Sequence, residues 1–229
     1  MGLHRAGFDE IVGIDIEPHP NYPFEFIQGD ATNPPVKPSD FDFIWASPPC
    51  QMFSCATKIN PKQTSRRRGK YNNLIPQTQE LLKTSNIPYC IENVPKAPIR
   101  EDILLCGEMF GLRVIRHRIF EISGFFVKQP KHKKHEGYYY SICGDTPPSQ
   151  ERRKRILMGL KQEPTRETWG NAMDITWSKS KKNISEAIPP AYSEYIAKEF
   201  FRFKGIEINP AYISIAKERL RLNEQLQGI

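Results

Sequence analysis

Cys50 follows a double proline in the stretch IWASPPCQMFSCATK (residues 44–58), and its thiol has four possible chemistries. It can pack as a small apolar group, ligate a metal, pair in a disulfide, or attack carbon as a thiolate. The five cysteines, at positions 50, 55, 90, 106 and 143, form an odd set without C-x-x-C spacing. That argues against a disulfide framework and a zinc knuckle, and for reduced thiols that mostly pack in the core. A zinc-deaminase reading needs P-C-x-x-C beside H-x-E. Here the cysteine after Cys50 is Cys55 and no H-x-E occurs, so no metal is expected. Pro48 and Pro49 stop a strand and fix the backbone just before Cys50, an odd way to build a core thiol. A nucleophilic cysteine also needs an electropositive, partly exposed setting.

Two further positions have suitable chemistry. Glu92 ends the apolar run IPYCI, where desolvation favours its protonated form and makes it a candidate proton donor; a turn or capping carboxylate is the plain alternative. Arg116 and Arg118, two apart in IRHRIFEI, fall on one face if the segment is a strand. Two guanidiniums there call for an anion or a carboxylate, although a surface ion-pair ladder would also satisfy them.

Short β-like runs alternating with amphipathic stretches must position these residues, which predicts an α/β domain with a mostly parallel sheet. EIVGIDI (10–16) and FEFIQGDA (24–31) read as strands ending in Asp15 and Asp30. FDFIWAS (41–47) ends at the prolines and IPYCIENV (87–94) at Glu92. In such sheets ligands gather at the carboxyl ends of strands. NLIPQTQELLKTSN (73–86) reads as a crossover helix with Leu74, Ile75, Leu81 and Leu82 on its apolar side. NISEAIPPAYSEYIAKEFF (183–201) reads as a proline-started helix, with Asn183 or Ser185 as cap and a stripe through Ala191, Tyr195, Ile196 and Phe200. Residues 125–168 break this pattern with basic and tyrosine-rich sequence, as a small lobe would.

The chain has 229 residues, 38% of them hydrophobic, enough for one generous domain. It has no long apolar run and no secretory leader pattern, so the expectation is a cytoplasmic protein without a membrane span. The formal charge is +7 and the pI about 9.1. Its positive residues cluster at 65–70, 128–135, 151–155 and 179–182, pointing first to nucleic acid. Each cluster alone also reads as a solvated loop.

Together these residues carry a resemblance. SPPCQMFS resembles the nucleophile motif of the DNA cytosine-5 methyltransferases, IENV their Glu-Asn-Val motif, and RHRIFEI their arginine-x-arginine strand, in the same order. The segment 2–20 is similar to the one ending in the family's ribose-binding acid, GDAT (29–32) to its adenine-side aspartate motif, and ISEAIPPAYSEYIAKEF to its closing motif. The resemblance spans about residues 2–124 and 169–200 and is strongest to short phage-type members. It implies a Rossmann-like sheet that binds S-adenosyl-L-methionine, double-stranded DNA as partner, and a monomer, in a restriction-modification or related setting. It implies catalytic roles for Cys50, Glu92, Arg116 and Arg118, with Cys50 adding to C6 of a flipped-out cytosine. Asp15, Ile16, Asp30, Ala31, Pro48 and Pro190 would meet the cofactor. Gln51, Ser54, Arg66, Arg67, Arg68 and Lys70 would meet DNA.

The family pattern opens with a strand and glycine-rich turn that this sequence does not contain, so a gap in the sheet is expected. Residues 201–229, with GIEINPAY, resemble the acidic strand-helix unit of amino-methyltransferases. They read as an added extension, as a replacement in which residues 201–208 fill the gap, or as the mark of a DNA-binding protein without catalysis. A thymidylate-synthase-like enzyme, which also uses Pro-Pro-Cys against pyrimidine C6, fits the remaining motifs poorly.

Overall fold

The computed structural model describes residues 1–53, 72–132, 134–136, 139–140, 142 and 165–205. Ser54, Cys55, Arg66, Arg67, Arg68, Lys70, Cys143 and residues 206–229 lie outside them, as does most of the 125–168 lobe. The described residues form a mixed α/β fold. The helices are α1 (Gly2–Ala6), α2 (Ile75–Ser85), α3 (Arg166–Met173), α4 (Lys181–Glu186) and α5 (Pro190–Phe203). The strands are β1 (Val12–Asp15), β2 (Glu25–Gln28), β3 (Ile44–Ala46), β4 (Tyr89–Asn93), β5 (Ile103–Leu105) and β6 (Arg118–Ser123). No helix among the described residues is long and apolar enough to cross a membrane.

The strands make two sheets among the described residues. β1 and β2 pair in parallel, and a four-stranded sheet runs in the order β3-β4-β6-β5. β3 is parallel to β4, while β6 is antiparallel to both β4 and β5. The expectation of a mostly parallel arrangement therefore holds for two ladders and fails for the other two.

Register sets which side chains meet. Cys90 lies opposite Ile122 and Glu92 opposite Phe120, and alternation along a strand puts Arg118 on the same face as Phe120. Tyr89, Ile91, Asn93, Ile119 and Glu121 occupy the other face. Helix α5 covers the first face, where its Tyr192, Ile196 and Phe200 cluster with Cys90, Phe120 and Ile122. Helix α2 covers the second, with Leu82 against Tyr89 and Ile91. Burial on both faces explains why β4 is buried along its whole length.

Helix α2 starts where Asn73 Oδ1 accepts the Ile75 amide at 3.1 Å and Pro76 removes a donor that would go unpaired. Only Ile75 and Leu82 of its expected apolar side are fully buried. The segment expected to form one closing helix is two. Ser180, whose Oγ accepts from the Asn183 amide, caps α4, and α5 begins afresh behind Pro189. Asn183 and Ser185 therefore lie inside α4 rather than at a cap. Helix α5 runs to Phe203, so residues 201–203 are helical and do not begin a strand. Among its buried positions, Tyr192, Ile196 and Phe200 follow a four-residue step, with Pro190 and Ala197 buried beside them.

Helix α1 lies against α5 at very close range. A Cβ on Gly2 would overlap Ser193 Oγ and the Pro190 carbonyl oxygen, so only glycine lets the two backbones approach this way. Phe8, just beyond α1, stacks on Phe43 and Phe200 at centroid distances of 5.7 and 5.8 Å, joining the N-terminal segment to the main core. Gly2→Val should lower unfolding stability by about 1–3 kcal/mol, the usual cost of overpacking. Chemical denaturation reads this directly, and an unchanged midpoint would contradict the close packing of α1 on α5.

Candidate active site

β3 ends at Ala46, paired with Ile91. Pro48 and Pro49 have no amide hydrogen, so the ladder cannot continue and the chain turns over the carboxyl end of β4. Asn93 fixes this turn: its Nδ2 donates to the Pro48 carbonyl at 2.9 Å, and its Oδ1 accepts the Val94 amide at 2.9 Å. Asn93 is fully buried, so losing either bond would leave a desolvated polar group, at about 1–3 kcal/mol. Asn93 carries no role in the sequence pattern beyond its place beside Glu92 in the Glu-Asn-Val motif, which is the signal that points to it. Cys50 follows in a tight turn closed by the Phe53 amide, which donates to the Cys50 carbonyl at 3.0 Å. Its side chain is partly buried against the Ile75, Val94 and Ala97 cluster.

Glu92 and Arg118 meet on the α5 face of the sheet. Arg118 Nε lies 2.7 Å from Glu92 Oε1, and their side chains are only 13% and 10% exposed. Arg118 also donates through Nη1 to the His117 carbonyl at 2.9 Å. The two side chains are diagonal neighbours across the β4–β6 ladder, which explains how residues 26 apart in sequence pair so closely.

Arg116 behaves differently from the expectation that it shares a strand face with Arg118. β6 begins only at Arg118, where the pairing to Leu105 starts, so strand alternation does not reach Arg116. Its Nη1 donates to the Ile142 carbonyl at 3.2 Å and its Nη2 to the Ser185 carbonyl at 2.6 Å. Its own carbonyl accepts from the Tyr192 hydroxyl at 2.7 Å. Arg116 is thus a buried strut joining α4, α5 and the 125–168 segment. Burial and then the nearby Arg118 lower its guanidinium to about 10, and its buried Nε finds no partner among the described residues.

The Cys50 thiol sits above its ordinary value. Burial pushes it up most, Arg118 and, more weakly, Arg116 pull it down, and Glu92 pushes it up again. Desolvation therefore outweighs the cations, and the free protein carries a protonated thiol at neutral pH. The setting is less electropositive and less open than a pre-formed thiolate requires.

Asp15 ends β1 with its side chain about half exposed. Its Oδ1 accepts the Glu17 amide at 2.8 Å, and Oδ2 stands 3.5 Å from His19 Nε2. Ile16, next in sequence, is 66% exposed, unusual for so large an apolar side chain. Asp30 lies past the end of β2, where Oδ1 accepts from the Thr32 amide and hydroxyl; chiefly through the hydroxyl bond, these contacts hold its carboxyl below the usual range. Ala31 and Gln51 are exposed and Pro48 is half-buried. Pro190 is buried in the first turn of α5 against α1. An open cleft of about 460 Å³ between Gly111–Arg113 and α3 lies beside the 125–168 segment rather than at Cys50. Reactive groups, not cavity size, single out the end of β4.

The end of β4 thus brings a half-buried thiol near a carboxylate clamped by a guanidinium. Residues 1–98 match the family model of the C-5 cytosine-specific DNA methylases. This stretch, less than half of the chain, holds Cys50, Glu92 and Asn93 and is similar to that family; Arg116, Arg118 and the closing helix lie beyond the matched residues. No curated protein and no solved structure gives a significant match to the chain.

Because the raised thiol is protonated at neutral pH, its reaction with iodoacetamide in the free protein should be slow at pH 7. It should quicken by about tenfold per pH unit until the thiol titrates. Peptide mapping of Cys50 alkylation against pH checks this, and a rate already at its plateau at pH 7 would contradict it.

Proposed function

We propose that the protein transfers a methyl group to C5 of cytosine in double-stranded DNA through a covalent Cys50 adduct. The observation that carries this reading is the buried Glu92–Arg118 ion pair at the end of β4, near enough to Cys50 for both charges to act on its thiol. C5 of cytosine is a poor nucleophile. Addition of Cys50 to C6, with its thiol proton passed by way of the Glu92 carboxylate toward N3, makes C5 nucleophilic while Arg118 holds the O2 and N3 edge. Asn93 keeps the Pro48-Pro49-Cys50 turn at the end of β4, and Arg116 locks the backbone that leads into Arg118. After the C5 proton leaves, elimination restores the Cys50 thiolate and frees the base. C6 is out of reach inside a duplex, so the target base must swing out of the helix.

S-adenosyl-L-methionine, when bound, supplies the electrophilic methyl group. The residues at the end of β1 fit it: Asp15 offers an accessible carboxylate acceptor for a ribose diol, and the exposed Ile16 offers an apolar platform for a purine. Asp30 and Ala31 stand at the corresponding end of the parallel strand β2. For DNA, we assign phosphate contacts to Arg66, Arg67, Arg68 and Lys70, and contacts near the target base to Gln51 and Ser54. The chain would act as a monomer.

Labelled S-adenosyl-L-methionine and duplex DNA should yield 5-methylcytosine with the intact protein and none with Cys50→Ser. Glu92→Gln should cut turnover by about 10²–10⁴-fold while leaving DNA binding in place. DNA binding without methyl transfer at saturating cofactor would overturn the reading in favour of a binding protein.

A further inference from the structure

Outside the Cys50 site, a group of side chains among the described residues converges without a part in the reaction. Cys106 Sγ and one ring nitrogen each of His117, His132 and His135 all lie within 4.8 Å of one another. His117 Nε2 stands 3.0 Å from His132 Nε2 and 3.3 Å from His135 Nε2. Three imidazoles that present Nε2 to one point are poorly satisfied by hydrogen bonds alone. One proton on His117 serves one neighbour, whereas a cation accepts every lone pair. The other face of His135 is already oriented, since its Nδ1 meets Glu108 Oε2 at 2.5 Å. That contact puts the His135 proton on Nδ1 and leaves Nε2 as a ligand atom, as carboxylate–histidine pairs do behind metal centres.

We propose that Cys106, His117, His132 and His135 form a structural zinc site. A tetrahedral zinc with bonds of about 2.0–2.1 Å holds its nitrogen ligands about 3.3 Å apart, close to the separations found. One sulfur with three nitrogens suits zinc better than a hard cation, which prefers oxygen. Four protein ligands close the coordination sphere, so the role is structural, with no position left for water or substrate. The expectation of no metal rests on cysteine spacing and on the absence of an H-x-E motif. The ligands here are a single cysteine and three histidines in the pattern C-x10-H-x14-H-x2-H, which that test did not examine.

The ligands come from places that matter to the fold. Cys106 follows β5 and precedes the 3-10 turn Gly107–Phe110. His117 sits between Arg116 and Arg118, and its carbonyl accepts from Arg118. His132 and His135 belong to the basic segment 128–135. Zinc would therefore staple the start of the 125–168 lobe to the backbone that carries Arg118. The site does not depend on the methyl-transfer reading, and its test does not use activity.

The test is metal analysis of the full chain purified from zinc-supplemented medium, with cobalt substitution of the same protein. About one zinc per chain is expected, together with a sulfur-to-cobalt charge-transfer band and the intense visible bands of tetrahedral cobalt. His132→Ala, altering an exposed residue, should lose the metal and lower Tm while far-UV circular dichroism stays native. The proposal is overturned if the unaltered chain retains less than about a tenth of an equivalent of zinc after dialysis. It is also overturned if cobalt gives no sulfur charge transfer, or if His132→Ala keeps the full metal content.

Discussion

The Glu92–Arg118 contact is the constraint around which the rest of the site is arranged. Two charges about nine-tenths buried cost much to desolvate, and an apolar pair of similar volume would usually stabilise the fold as well or better. Its presence is therefore better explained by chemistry than by stability. Keeping it requires the antiparallel β4–β6 register that makes the two residues diagonal neighbours. It also requires α5 to cover that face, with Tyr192 fixing the carbonyl of Arg116. Removing either partner would strand a buried charge, at a cost of about 3–5 kcal/mol.

The same pair tunes the thiol. Burial protects Cys50 and keeps it protonated, while Arg118 favours the thiolate and Glu92 opposes it. A base that engages Glu92 and Arg118 changes both influences together. In the proposed reaction, activation of the nucleophile would thereby be linked to substrate arrival, with the thiol kept protonated in the free protein. Arg116, a buried cation held by two carbonyls, adds a weaker pull and links the site to α4 and the basic lobe. His117 lies between the two arginines, so anything that fixes His117 also fixes the backbone under Arg118.

Much of this arrangement was legible in the sequence where local chemistry decides structure. Double proline ended β3 before Cys50, apolar runs marked β1 to β4, and Pro190 opened α5. What escaped was what depends on partners distant in sequence. The short β5 carries too few residues to signal itself. Arg116 and Arg118 separate because the β4 ladder stops at Ile119 and the β5 ladder at Arg118, which spacing does not reveal. The helix caps were misplaced because Ala187 is extended and Pro189-Pro190 restarts the helix, splitting one apolar pattern in two. The convergence of Cys106, His117 and the His132–His135 pair arises from three separate stretches of chain, and only the fold brings them to one point.

The central claim is that Cys50, beside Glu92 and Arg118, forms a bond to cytosine. It is tested most directly by incubating the protein and S-adenosyl-L-methionine with duplex DNA containing 5-fluorocytosine, whose C5 fluorine blocks release of the adduct. Mass spectrometry of the digested complex then locates the modified residue. The account predicts a single stable adduct on the peptide containing Cys50. An adduct on another cysteine, or none while the DNA is bound, would contradict it.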